Sequence, residues 1–186
     1  MNKKNESYSR AMHEIEQEIL DLLKKSPEES KHAKDTLGWL LKINPNPDFI
    51  IRVSALGHDI ERAMCSKDDK AYISHREFKT AHSKRSAEIL KDILLKHKTK
   101  TADIQRMQDI ILHHEFGGNK EANLIKDADS LANFQWCDDM FGKLETHQLK
   151  ETMIRMFERM EEENKRFSKK IRFKHAEVKG WLKDIS

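Results

Sequence analysis

The chain has 186 residues, 37% hydrophobic and 36% charged, which suits one core-forming domain with a heavily charged exterior and argues against disorder throughout. Its 35 basic and 32 acidic side chains are spread along the length for a formal charge of +3, so there is no strong case for nucleic acid or a membrane surface as partner. Cys65 and Cys137 lack a CxxC partner, which excludes a disulfide framework and a thiolate zinc site, and MNKKNESYSR carries no apolar leader, so a cytoplasmic protein is expected.

With six glycines, three prolines and no convincing period-2 alternation, helical spacing dominates and an all-α fold is predicted. A first helix runs through Ala11, Ile15, Ile19, Leu22 and Leu23. Ser26-Pro27-Glu28-Glu29 starts a second, which carries His32, by supplying a capping hydroxyl, a proline at the first position and acidic groups at the positive dipole end. Asn44-Pro45-Asn46-Pro47 ends it, and Asp48 can cap the next. FIIRVSALGHDIERAM is apolar on almost every face and reads as one central buried helix bearing His58 and Asp59. After a polar connection around Ser66-Lys67-Asp68-Asp69, a long helix from Ser74 has the stripe Phe78, Ala81, Ile89, Leu90, Ile93 and Leu94, with His82 along it. Thr101 caps a helix in which Ile104, Met107 and Ile111 lead by the same spacing to His114, beside His113, until Phe116-Gly117-Gly118-Asn119 breaks it. The following helix faces inward with Leu124, Ile125, Ala128, Leu131 and Ala132, and Asp129 borders that face. From Thr146, one or two charged amphipathic helices turn Leu149, Met153, Met156, Phe157, Met160 and Trp181 inward.

Polar groups on core faces need partners, because an unpaired one costs a few kcal/mol to bury and a lone charge costs more. Five successive helices each point one or two imidazoles or carboxylates inward, and packing them would gather those groups at one centre. A divalent cation is the simplest common partner, and imidazole with carboxylate but no thiolate suits Fe, Mn, Co, Ni or Zn. The number of candidates exceeds the needs of one ion with an open position. Asp127 and Asp129 compete for one role, the other being a solvated helix residue, and His13, His75, His97, His147 and His175 read as ordinary surface groups.

The order His32, His58-Asp59, His82, HHE at 113–115 and DADSLANF at 127–134 resembles the HD superfamily of metal-dependent phosphohydrolases over roughly His32 to Phe134. HAKDTLGWLL resembles the family's first-ligand helix, SALGHDIER its hallmark helix and ADSLANF the segment bearing its last aspartate, which selects Asp129 over Asp127. The resemblance implies a single-domain HD-type helical bundle, its core at about 27–136, with a C-terminal amphipathic helical extension at 145–186. It also implies the ligand set His32, His58, Asp59, His82, His113, His114 and Asp129. FKTAHSKRSAEIL and ILHHEFGG look like the additional histidine segments of HD-GYP-type phosphodiesterases, which favours a multinuclear site. Here HDxGK reads HDIER and no GYP follows HHE, so cyclic dinucleotide specificity is not implied, and the HDxxED of guanosine-tetraphosphate hydrolases is also missing.

By the same resemblance the chain is a phosphomonoesterase or phosphodiesterase acting on a small, nucleotide-like phosphoester through a metal-activated hydroxide. One or two ions are expected, with iron or manganese ahead of zinc, cobalt, nickel and magnesium, and Asp59 would bridge them. Arg62, one turn beyond His58, and Lys84 and Arg85, beyond His82, are candidate donors to phosphate oxygens. Asp35 and Asp109 are candidate partners orienting His32 and His113. The alternatives are a mixed-valent di-iron oxygenase acting on a small phosphonate or polyol, since HD oxygenases share the ligand order, and a non-catalytic HD regulatory module. The C-terminal helices are compatible with shaping the pocket, capping the domain or forming a homodimer interface.

Overall fold

The computed structural model describes residues 3–64 and 74–185, so Cys65 and the connection at Ser66-Lys67-Asp68-Asp69 lie outside the described residues. Helix α1 covers Lys3–Leu23 and α2 Pro27–Ile43. The Ser26 side chain caps α2 by accepting from the Glu29 amide, and Asn44 closes it with an N–H donated to the Leu40 carbonyl at 2.7 Å. Asp48 accepts from the Ile50 and Ile51 amides at 2.9 and 3.2 Å, starting α3 at Phe49–Gly57.

The continuous helix expected over FIIRVSALGHDIERAM is in fact two, α3 and the short α4 at Ile60–Met64, broken at His58 and Asp59. The break coincides with a side-chain bond in place of a helical one: His58 Nδ1 donates to the Ala55 carbonyl at 3.0 Å. Gly57 permits a close approach to Leu90, since a Cβ there would stand 2.4 Å from Leu90 Cδ2.

Helix α5, His75–Lys96, opens on a full capping box in which Ser74 and Glu77 satisfy each other's amides. Helix α6 runs Thr101–His113, with Lys100 at the cap position; Thr101 is the first helical residue and not the cap. Asn119 caps α7, Lys120–Met140, by accepting from the Ala122 amide at 2.8 Å. The C-terminal third is more finely divided than expected: α8 at Thr146–Glu158, the single turn α9 at Glu162–Lys165, a 3₁₀ turn at Arg166–Lys170 and α10 at Ala176–Ile185.

The result is all-α, and among the described residues backbone pairing outside helices and turns is limited to one bridge between Phe141 and Leu144. Helix α7 is the axis, packing against α2, α3, α6 and α8, while α5 pairs with α6. Ile19, Trp39, Leu40, Leu56, Leu90, Met107, Ile111 and Phe134 fill the space between them, and burial of such side chains stabilises the fold by roughly 1.5–3 kcal/mol each. Of the residues expected to turn inward from the C-terminal third, Leu149, Met153, Met160 and Trp181 are buried, and Met156 and Phe157 pack at its edge. No described helix is long and apolar enough to cross a membrane.

Candidate metal centre

The α3–α4 break, the middle of α5, the end of α6 and the middle of α7 converge beside α2, and each brings polar groups. Two sets of possible ligand atoms form there, His32, His58 and Asp59 in one and Asp59, His82 and His114 in the other, with the atoms of each set within 4.8 Å of one another. Asp59 belongs to both. The rings follow in the order His32, His58, His114, His82, with successive centroids 5.2, 5.3 and 5.8 Å apart. Asp129 joins at the first end, its Oδ1 lying 2.9 Å from His32 Nε2 and 3.6 Å from His58 Nε2.

The helical period explains which residues arrive. Ile104, Met107, Ile111 and His114 follow each other by one turn and are all buried, so the imidazole ends an apolar stripe that the core draws inward. Similarly, His82 continues through Ser86, Leu90 and Ile93, and Asp129 is flanked by Ile125 and Ala132.

Whether a cation fits can be judged from the nitrogens. His58 Nδ1 donates to the Ala55 carbonyl and His114 Nδ1 to the Ile111 carbonyl at 2.7 Å, which fixes both rings with Nε2 turned to the centre. Both Nε2 atoms are buried without a hydrogen-bond partner; the other buried polar side-chain atoms so placed among the described residues are the hydroxyls of Thr36 and Ser54. Each Nε2 lies 3.6 Å from Asp59 Oδ1. That is too long for a hydrogen bond and close to the spacing of two ligands on one ion, roughly 3 Å when each lies about 2.1 Å from it. His82 is oriented by a carboxylate, Nδ1 lying 2.8 Å from Glu61 Oε1 while Nε2 meets Asp59 Oδ1 at 2.6 Å. A buried carboxylate behind a ligating imidazole is the usual support of a metal site. The donor set therefore fits a divalent cation, and among the described residues the cysteine Cys137 belongs to neither ligand set: burial pushes its thiol up to about 12, and its Sγ faces the Leu149 carbonyl.

The charges are strongly coupled. Burial pushes the Asp59 carboxyl up, but the charges of Arg62, His58 and His82 outweigh it and hold the group well below the usual carboxylate range. Asp129 is likewise held low against burial, by the Arg159 charge and by the bond from His32. Burial depresses the His58 and His82 imidazoles, yet the Asp59 charge raises both to about 9, joined at His58 by the nearby Asp129 charge and at His82 by the bonds to Asp59 and Glu61. A proton and a cation compete for the same nitrogens here.

His113 does not join the cluster. It is the last residue of α6, its side chain is 48% exposed, and its Nδ1 donates to the Asp109 carbonyl at 2.8 Å; the Asp109 side chain thus attends His113 and no cluster residue. Asp35 pairs with Lys31 at 2.5 Å and does not orient His32. Lys84 is exposed, and Arg85 donates from Nε to Glu61 Oε2 at 2.8 Å, steadying the support of His82. Arg62 does reach the centre, with Nε 3.2 Å from Asp59 Oδ2 and a side chain 37% exposed.

Asp127, read as a solvated alternative to Asp129, is buried and accepts from Asn164 Nδ2 at 2.7 Å and the Glu161 amide at 3.2 Å. Burial raises its pKa to about 6 despite those bonds. His97 and His175 are structural rather than free surface groups, paired with Glu18 at 2.7 Å and Asp138 at 3.0 Å.

Four participants were not predicted: Glu61, Glu115, Lys79 and Arg159. Glu115 is buried and its Oε2 accepts from Lys79 Nζ at 2.6 Å and Arg159 Nη1 at 3.1 Å. The sequence marks Glu61 only as the residue standing where HDxGK has glycine, and nothing local pairs it with His82. Arg159 gives no signal, because its partners lie about 30 and 44 residues away in sequence.

No curated protein and no solved structure matches the chain. One family model matches residues 7–179, so nearly all of the chain, with its C-terminal helices, belongs to the DUF4202 family, a domain of unknown function.

Proposed function

We propose that this protein is an HD-type, metal-dependent phosphohydrolase acting on a small, nucleotide-like phosphoester. The observation that carries the reading is the pair of buried ligand sets sharing Asp59, with the Nε2 atoms of His58 and His114 unpartnered between them. His32, His58, Asp59 and Asp129 would hold one cation, and Asp59, His82 and His114 a second. Bound there, divalent cations would supply Lewis acidity and the means to acidify water.

The chain's own part is to orient and neutralise. The Ala55 and Ile111 carbonyls and Glu61 keep the imidazoles turned inward. Arg62, half in solvent beside Asp59, is placed to donate to phosphoryl oxygens, and it is the member of the predicted trio Arg62, Lys84 and Arg85 that suits this role.

The test is cation content and turnover together. Protein loaded with Mn²⁺ or Fe²⁺ is expected to hydrolyse members of a nucleotide and phosphoester panel, and Asp59→Ala to lose both bound cation and turnover. Loaded protein inert across the panel would sink the hydrolase reading. The di-iron oxygenase draws on the same shared carboxylate, and iron-dependent oxygen consumption without phosphate release would favour it instead.

A further inference from the structure

Asp129 divides its two oxygens between different elements. Oδ1 faces His32 and His58, and also accepts from Asn133 Nδ2 at 2.8 Å. Oδ2 is taken by Arg159 Nη2, from the residue that closes α8. The guanidinium uses its whole fork: Nε donates to Ser130 Oγ at 2.7 Å, Nη2 also to the Lys126 carbonyl at 3.2 Å, and Nη1 to Glu115 Oε2 at 3.1 Å. Its side chain is only 15% exposed. One planar cation thus touches the carboxylate beside His32 and His58 and the carboxylate next in sequence to His114.

The segment after it reinforces the same stretch of α7. The Glu161 amide and Asn164 Nδ2 bond Asp127, and Lys126 Nζ donates to Glu161 Oε1 at 2.7 Å. Residues 126–130 of α7 are therefore gripped from one side by residues 159–164, a segment outside the part of the chain that resembles HD proteins.

We infer that Arg159 is a positioning residue of the cation centre: by occupying Oδ2 it leaves Asp129 a single oxygen to offer a cation between His32 and His58. The inference rests on the metal-centre reading above. Its role is orientation and not charge alone, because lysine could reproduce the charge but could not hold Asp129, Ser130, the Lys126 carbonyl and Glu115 together.

The experiment is Co²⁺ titration of the full chain against a competing chelator, with the visible absorption of bound Co²⁺ reporting its coordination. Wild type is compared with Arg159→Lys, Arg159→Gln and Ser130→Ala. Both Arg159 variants are expected to bind Co²⁺ about tenfold more weakly, with altered absorption bands, as for loss of other groups that orient metal ligands. Ser130→Ala, which removes the Nε acceptor and the hydroxyl's own bond to the Lys126 carbonyl but leaves the guanidinium on Asp129, is expected to weaken binding about threefold, less than the roughly tenfold loss that removing an orienting group itself causes. It keeps the test open should the Arg159 variants fail to fold.

Affinity and bands equal to wild type in every folded variant would overturn the inference, leaving Arg159 a packing residue. Tighter binding in Arg159→Gln with wild-type behaviour in Arg159→Lys would overturn it too, because charge alone would then explain the effect. Wild type that binds no cation would instead refute the metal centre itself. Inertness toward phosphoesters, with these shifts present, would refute only the reaction.

Discussion

His113 and His114 are adjacent in the chain and roughly 100° apart around a helix axis, a rotation that separates a ligand position from solvent. The stripe Ile104, Met107, Ile111 carries His114 inward, while His113 turns out against Asp109. Reading HHE as a motif merges the two; following the stripe separates them. His114→Ala should lower cation affinity about tenfold or more, and His113→Ala should leave it within about twofold, both measured by isothermal titration. Equal losses would mean that the end of α6 unwinds to deliver both rings. The same scale accounts for Glu61: a carboxylate behind His82 is recognisable only once the α4–α5 packing brings positions 21 residues apart to 2.8 Å.

The element that matters most is the break between α3 and α4. A single straight helix would place His58 and Asp59 on neighbouring rungs of one cylinder. The break at His58 and Asp59 instead lets the two between them meet His32 of α2, His82 of α5, His114 at the end of α6 and Asp129 of α7. Gly57 makes this approach to α5 possible, since the Leu90 side chain, itself fully buried, leaves no room for a methyl group. Gly57→Ala should destabilise the protein by about 1–3 kcal/mol in chemical denaturation, the usual cost of overpacking a core. A change of under about 0.5 kcal/mol would show that Leu90 can move aside freely, since substitutions clear of such contacts typically stay within that range. The apolar character of FIIRVSALG on almost every face was enough to place it in the core, but no residue in the sequence marked the break, which depends on how α3 meets α5.

For the molecule as a whole, the centre ties stability to pH and to cations. His58 and His82 are raised in the fold from an ordinary 6.5 to about 9. In cation-free protein their contribution to stability is therefore fully present below pH 6.5 and is lost as pH rises through about 9. A cation needs those nitrogens free of protons, so its stabilisation grows over the same interval. In calorimetry the melting temperature of chelator-treated protein should fall from pH 6.5 to 9 while the increment produced by saturating Mn²⁺ rises. At a hundredfold excess over its dissociation constant, the cation should add about 2.7 kcal/mol. An increment that shrinks with pH would contradict competition between protons and metal. From sequence alone came the helical class, the caps at Ser26 and Asp48, and the inward faces bearing His82, His114 and Asp129, because caps and periodicity are set by residues within a turn or two of each other. Tertiary structure alone decided the support of Glu61 and the reach of Arg159 from the far end of the chain. These depend on contacts between helices remote in sequence, where the deciding quantity is the packing of buried surfaces and no local pattern records it.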